Sequence, residues 1–247
     1  MELFEKYGMS LVKGRHIYEV DLTKRSWDYE CATPVKFIWK TYEIDDGAWK
    51  NIVPKIAELF FEHAPIPKEK AVSFAFGWSK QKIFYETDSI SNLMPLSNGL
   101  WVNCNQTATH SVWEIEDMIN LFSLDMSDCR LIIHRPSSAE PQEIKDFFLQ
   151  RNKSILKDHI KTKYGFDDAK IDKIINNIDY FNKKYLNRFS KSYDNLLLMD
   201  STTTFSNYKD KLIKIVRKER NENNTKLVIR YMVYLTEVYP RFLEDCF

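Results

Sequence analysis

The chain has 247 residues with 36 basic and 35 acidic side chains, a net charge of +1, and it is 44% apolar and 14% aromatic. That composition excludes disorder, which pairs low hydrophobicity with high net charge, and the length allows one large core or two smaller ones. No apolar run approaches the roughly 20 residues of a membrane-crossing helix, and Glu2 and Glu5 stand where a signal peptide would be basic, so a soluble cytoplasmic chain with no membrane partner is expected.

In chain order, His16–Leu22 and Val35–Ile44 are rich in β-branched and aromatic residues and read as strands. Trp49, Ile52, Val53, Ile56, Leu59 and Phe60 then recur at spacings of three and four, the stripe of an amphipathic helix ending near His63, with Pro54 marking either a kink or the true start. The Pro65-Ile66-Pro67 segment ends it. Ala71–Phe76 and Lys82–Glu86 flank Gly77-Trp78-Ser79-Lys80-Gln81 as a hairpin, which would leave Trp78 exposed at a tip where an interface residue is often found. Ser97-Asn98-Gly99 reads as a turn into a strand at Leu100–Asn103. Ser111, three residues before Glu114, forms a capping-box pattern that starts a helix through Phe122, and Arg130–His134 is a short strand for burial in a sheet.

The character of the chain changes near residue 137. All six tryptophans lie at or before Trp113; residues 1–149 carry 16 basic against 22 acidic side chains, and residues 150–247 carry 20 against 13. Ser137-Ser138 and Glu140-Pro141 form a helix-entry signature. Ile144 to Ile160 gives a helical face, Gly165 breaks it, and Ile171 to Phe189 gives a stronger one. Leu196–Met199 fits a strand or a helix end; Tyr208–Val216 and Leu227–Tyr239 add two helices around an Asn-rich turn. The expected fold class is α+β: an acidic, Trp-rich domain over 1–136 with short, largely antiparallel strands and two helices, then a basic helical domain over 137–247, with one continuous domain as the alternative.

Lys184, Arg188 and Lys191 share one helix face, and Lys211, Lys214 and Lys218 another with Arg217 beside it. Such stripes suit a nucleic-acid backbone, DNA or RNA, because neutralising phosphates releases condensed counterions without any sequence motif. The same residues also fit the solvated face of a bundle helix, or a contact with an acidic surface, whether of a protein partner, of the other half, or of a second copy in a homo-oligomer. The Ile155–Lys163, Gly165 and Asp168–Ile178 pattern matches a helix-turn-helix only in outline.

Signals for chemistry are sparse. Cys104 and His110, at an expected strand-to-helix junction, have the composition of a thiolate–imidazole pair, against the plainer reading of a buried apolar cysteine. Glu143-Ile144-Lys145 with Asp125 or Asp128 has the letters of a metal-dependent nuclease, but Pro141 puts Glu143 in a helix's first turn instead of on a strand. Neither the five histidines nor the scattered Cys31, Cys104, Cys129 and Cys246 have metal-ligand spacing, and the six glycines form no phosphate loop. No cofactor or metal is expected. The function that results is a cytosolic binding or assembly protein, its basic half on nucleic acid or an acidic partner and its acidic half on a protein partner. The alternative is an enzyme, either a metal-dependent nuclease or a hydrolase or transferase using Cys104 and His110.

Overall fold

The computed structural model describes residues 2–13, 16–26, 29–76, 81–88, 93–104, 106–136, 139–184, 186 and 195–198, together with 210, 211 and 214. Two compact units divide the chain: Met1–Val12 with Ile17–Arg135, and Lys13–His16 with Pro136–Phe247. The described elements form an α+β protein, with antiparallel sheets in the first unit and helices in the second. No described helix is long and apolar enough to cross a membrane.

The apolar run near residue 131 organises the first unit. Cys129–His134 pairs antiparallel on one side with Ile17–Val20 and on the other with Thr33–Trp39. Numbered in chain order, the strands are β1 (Met9–Lys13), β2 (Ile17–Val20), β3 (Thr33–Trp39), β4 (Tyr42–Asp45), β5 (Phe84–Tyr85), β6 (Leu93–Pro95), β7 (Trp101–Asn103) and β8 (Cys129–His134). The larger sheet runs β1-β2-β8-β3-β4 and the smaller β5-β7-β6. Alternation sends Phe37, Trp39, Leu131, Ile133, Tyr18 and Val20 into the core, while Glu19 and Arg130 pair on the outer face at 2.7 Å.

Helix α2 (Trp49–His63) lays Ile52, Val53, Ile56, Ala57 and Phe60 into that core, Phe60 meeting Phe37, Trp39 and Phe122 edge-on or tilted. Pro54 lies inside this helix, not at its start. The region read as one strand over Val35–Ile44 is two: Lys40 adopts φ +54°, so the chain reverses between Trp39 and Tyr42, which face each other as β3–β4 partners. Ala71–Phe76 is a second correction. Helix α3 (Lys68–Ser73) takes its first half, because Pro67 pre-sets the entry dihedral and Ala71 is fully buried, and Ala75 is bridged to Lys82. Residues 77–80, with Trp78, lie outside the described residues.

In the second unit, α5 (Gln142–Tyr164) and α6 (Asp168–Lys184) form a hairpin across Gly165, whose left-handed φ of +61° ends α5. Lys153–Asp179, Lys157–Asp172 and Lys161–Asp168 ion pairs advance along α5 as they retreat along α6, the signature of antiparallel neighbours. A helix-turn-helix reader, with its steep crossing, has a different geometry. Leu196–Leu198 is neither strand nor α-helix but a short, buried 3₁₀ turn held by Asn152, whose side chain donates to the Leu197 carbonyl at 2.8 Å. The expected helix over Leu227–Tyr239 lies outside the described residues.

Candidate functional site

Two places in the described structure concentrate polar chemistry. The first is α4 (Ala108–Leu121), preceded in chain order by the short α1 (Glu2–Glu5) as well as α2 and α3. Its start is three residues earlier than the Ser111 pattern implied: Thr107 is the cap, its Oγ1 accepting from the His110 amide at 3.3 Å, so Ser111 and Glu114 lie inside the helix and are fully buried. Glu116 and Asp117 are also buried. The Arg25 guanidinium holds both, Nε donating to Glu116 at 3.1 Å and Nη2 to Asp117 at 2.5 Å, while it lies 5.5 Å from the Trp113 ring centre.

Among the described residues, Arg25 is the cation bonded to this group of three buried carboxyls. Glu114, whose Oε2 accepts from Gln106 at 3.2 Å, has its carboxyl raised well above the ordinary range by burial and then by the charge of Asp117. Burial pushes Glu116 up to about 7 despite Arg25. Asp117 is raised for the same first reason. Carboxyls that keep a proton near neutrality are a catalytic resource where substrate can reach them. Here, with Glu114 at 0% and Glu116 at 3% exposure, they are core groups.

Cys104 lies beside this cluster. Burial raises its thiol pKa and Glu114 raises it further, with Lys50 opposing. A nucleophilic cysteine needs the reverse, a pKa lowered toward thiolate. His110 packs near Trp113, ring centres 5.4 Å apart. Cys104 is buried, at 5% exposure. Glu143 stands in the first turn of α5, on a helix as its context implied. Among the described residues no group of three or more His, Cys, Asp or Glu side chains is arranged to hold a metal.

The second place is the α5–α6 hairpin. Of the basic residues singled out in sequence, Lys184 closes α6 with its Nζ 5.6 Å from the ring centre of Tyr180, itself 48% exposed. Lys211 and Lys214 are helical and exposed. Arg188, Lys191, Arg217 and Lys218 lie outside the described residues. Between α5 and α6 runs an open cleft of about 330 Å³. Lys145 and Lys153 of α5 and Lys183 of α6 line it, with Asp146 and Asp179, and Leu149 and Leu198 add apolar surface. Its polar wall is fixed: Asn182 donates to Asn195 at 2.7 Å and accepts the Leu196 amide at 3.0 Å. Spacing alone does not mark this cleft, because Lys145, Leu149 and Lys153 at intervals of four form a visible stripe only once α6 is known to lie antiparallel. The same holds for Tyr180, which reads as one more aromatic of a helix until its exposure is seen.

No protein-family model, no curated protein and no solved structure matches this chain.

Proposed function

We propose that this is a non-catalytic cytoplasmic binding protein whose helical unit lies along the phosphate backbone of nucleic acid, while the acidic α+β unit engages a protein partner. The observation that carries this reading is the end of α6, where the exposed Tyr180 ring sits one turn before Lys183 and under Lys184. An exposed ring gives an unpaired base a stacking surface, and adjacent ammonium groups follow its phosphate; that combination is how proteins bind single strands without reading sequence. Exposed Lys211 and Lys214 add basic surface, and the excess of basic residues over 150–247 favours a polyanion in general. The Lys157–Asp172 and Lys161–Asp168 pairs argue against α5's outer lysines as the contact, since each already faces a carboxylate. A cytoplasmic setting agrees with Cys31, Cys104 and Cys129 being thiols.

The test is a salt titration of the intact chain against labelled single- and double-stranded DNA and RNA, with Tyr180→Ala and a Lys211/Lys214/Lys218→Glu variant alongside. Single strands should bind more tightly than duplex, with affinity falling steeply with salt; the lysine variant should flatten that slope by roughly 0.7 for each phosphate it no longer neutralises. Removal of the ring should cost on the order of tenfold. Absence of binding at low salt would reject the nucleic-acid reading and turn attention to an acidic protein surface.

A further inference from the structure

Of the six glycines, one follows an asparagine, Asn98-Gly99, and one an aspartate, Asp46-Gly47. Such pairs carry latent chemistry, because a glycine nitrogen with no Cβ to crowd it can attack the preceding side-chain carbonyl carbon and close a five-membered imide. The fold secures one pair and not the other. Asp46 is held by three donors: its Oδ1 accepts the Ala48 amide at 3.0 Å and the Asn51 side chain at 3.2 Å, and its Oδ2 accepts Lys55 at 2.7 Å. The Lys55 bond in particular keeps that carboxyl below the ordinary range, as an anion that a nitrogen nucleophile does not attack.

Asn98 stands in the turn between β6 and β7, half-buried, with Gly99 exposed beside it. Its Oδ1 accepts the Leu100 amide at 2.9 Å, which folds the side chain back over the Gly99 peptide. Gly99 has φ +82°, and the Lys68 ammonium lies 3.6 Å from where a Cβ on it would stand. A cation at that place stabilises the negative charge that attack builds on the Gly99 nitrogen and on the Asn98 carbonyl oxygen. The restraint is the bond from the Gly99 N–H to the Leu96 carbonyl at 3.0 Å, which lies in a surface turn and is released by local opening. We propose that Asn98-Gly99 is a self-modifying site, where asparagine deamidates beside Lys68 and resets the charge and the length of the β6–β7 turn.

In the first step the Gly99 nitrogen gives its proton to water and bonds to Asn98 Cγ, the Cγ–Nδ2 bond breaks, and Nδ2 leaves as ammonia. Water then opens the imide. Attack at Cγ yields aspartate, and attack at the main-chain carbonyl carbon yields isoaspartate, with the backbone rerouted through Cβ and Cγ. The sum is a water consumed and an ammonia released, with nothing oxidised or reduced. Either product adds a negative charge beside Lys68. Isoaspartate also adds a methylene to the backbone between Leu96 and Leu100, both buried and joined by the Leu96 N–H to the Leu100 carbonyl at 2.8 Å, so the turn no longer closes on the same bond.

To test this, the intact chain is held in mildly alkaline buffer and sampled over days by peptide mass spectrometry, with isoaspartate detected by its selective enzymatic methylation. Asn98 should convert roughly tenfold faster or more than Asn51 and Asn120, which lie in α2 and α4 with no glycine after them. Asp46 should form no isoaspartate. Lys68→Gln should slow Asn98 by about twofold to fivefold in the folded chain, the worth of one screened surface charge, and leave its rate in urea unchanged. After conversion, hydrogen exchange should show protection lost at Leu96 and Val102 and kept in α5. Conversion of Asn98 no faster than that of Asn51, a folded-chain rate indifferent to Lys68→Gln, or the same slowing in urea would overturn the proposal.

Discussion

Arg25 carries more than its partial exposure suggests. Its side chain is 38% accessible, yet it is the cation bonded to both Glu116 and Asp117, which are 4% and 12% accessible. Replacing it with Met keeps the apolar stem against Trp113 and removes the charge, leaving two carboxyls without their donor. Losing one partner of a fully buried ion pair costs about 3–5 kcal/mol, and the exposure of Arg25 lowers the expectation to about 2 kcal/mol. Urea unfolding at pH 7 measures it, and the Glu116 carboxyl, followed by carbon NMR, should titrate above its value of about 7 in the parent chain. Glu114 predicts the opposite behaviour. Burial and the charge of Asp117 favour its protonated form, for which Glu114→Gln substitutes a neutral group of the same shape whose carbonyl still accepts from Gln106. The substitution should cost less than about 1 kcal/mol near pH 4, where Glu114 is protonated folded or unfolded, and become stabilising as pH rises toward neutrality. A loss of several kcal/mol would show that Glu114 acts as a buried anion.

Elements were legible in the sequence where one physical signal dominated. The run at Arg130–His134 could hardly be anything but a buried strand, and Gly165 ends α5 as its position predicts. Where two signals competed, tertiary context decided. Val72, Phe74 and Phe76 alternate like a strand, but Pro67 and the burial of Ala71 select α3. Ser111 and Thr107 both stand ahead of the same apolar stripe, and only burial distinguishes the true cap. The candidate site was less legible still, since Glu114, Glu116 and Asp117 look in sequence like a solvated acidic turn of helix. Nothing in residue spacing says that their side chains are sealed inside or that Arg25, some 90 positions earlier, answers them. At the hairpin, Gly165 offers a clean test. A Cβ there would meet nothing within 4 Å, so Gly165→Ala reports backbone conformation alone. The left-handed φ should cost about 1 kcal/mol, with Gly165→Asn costing less because Asn tolerates that region, as read from thermal melting.

At the scale of the molecule, the two units are expected to answer pH differently. The carboxyls of Glu114, Glu116 and Asp117 are raised in the folded state, so as pH climbs above the unfolded value near 4.5 the unfolded chain gives up protons that the folded one retains. Unfolding is then favoured progressively, and stability present at pH 4.5 is lost on the way to the folded values. For Glu116, whose folded value is about 7, the loss is on the order of 3 kcal/mol by pH 7. In the second unit the Lys161–Asp168 pair works in the other direction. Asp168 is lowered by Lys161, and Lys161 is raised by Asp168, so that pair contributes between the ordinary aspartate value near 3.8 and the ordinary lysine value near 10.5 and fades as pH falls below the one or climbs above the other. Between pH 5 and 7 its contribution is constant. Hydrogen exchange, corrected for the intrinsic rate at each pH, should therefore show amides of β2, β8 and α4 opening more readily at pH 7 than at pH 5, while those of α5 and α6 keep their protection. In Glu116→Gln the difference in the first unit should shrink. Equal loss of protection in both units would mean that the α4 carboxyls are not what sets the pH response.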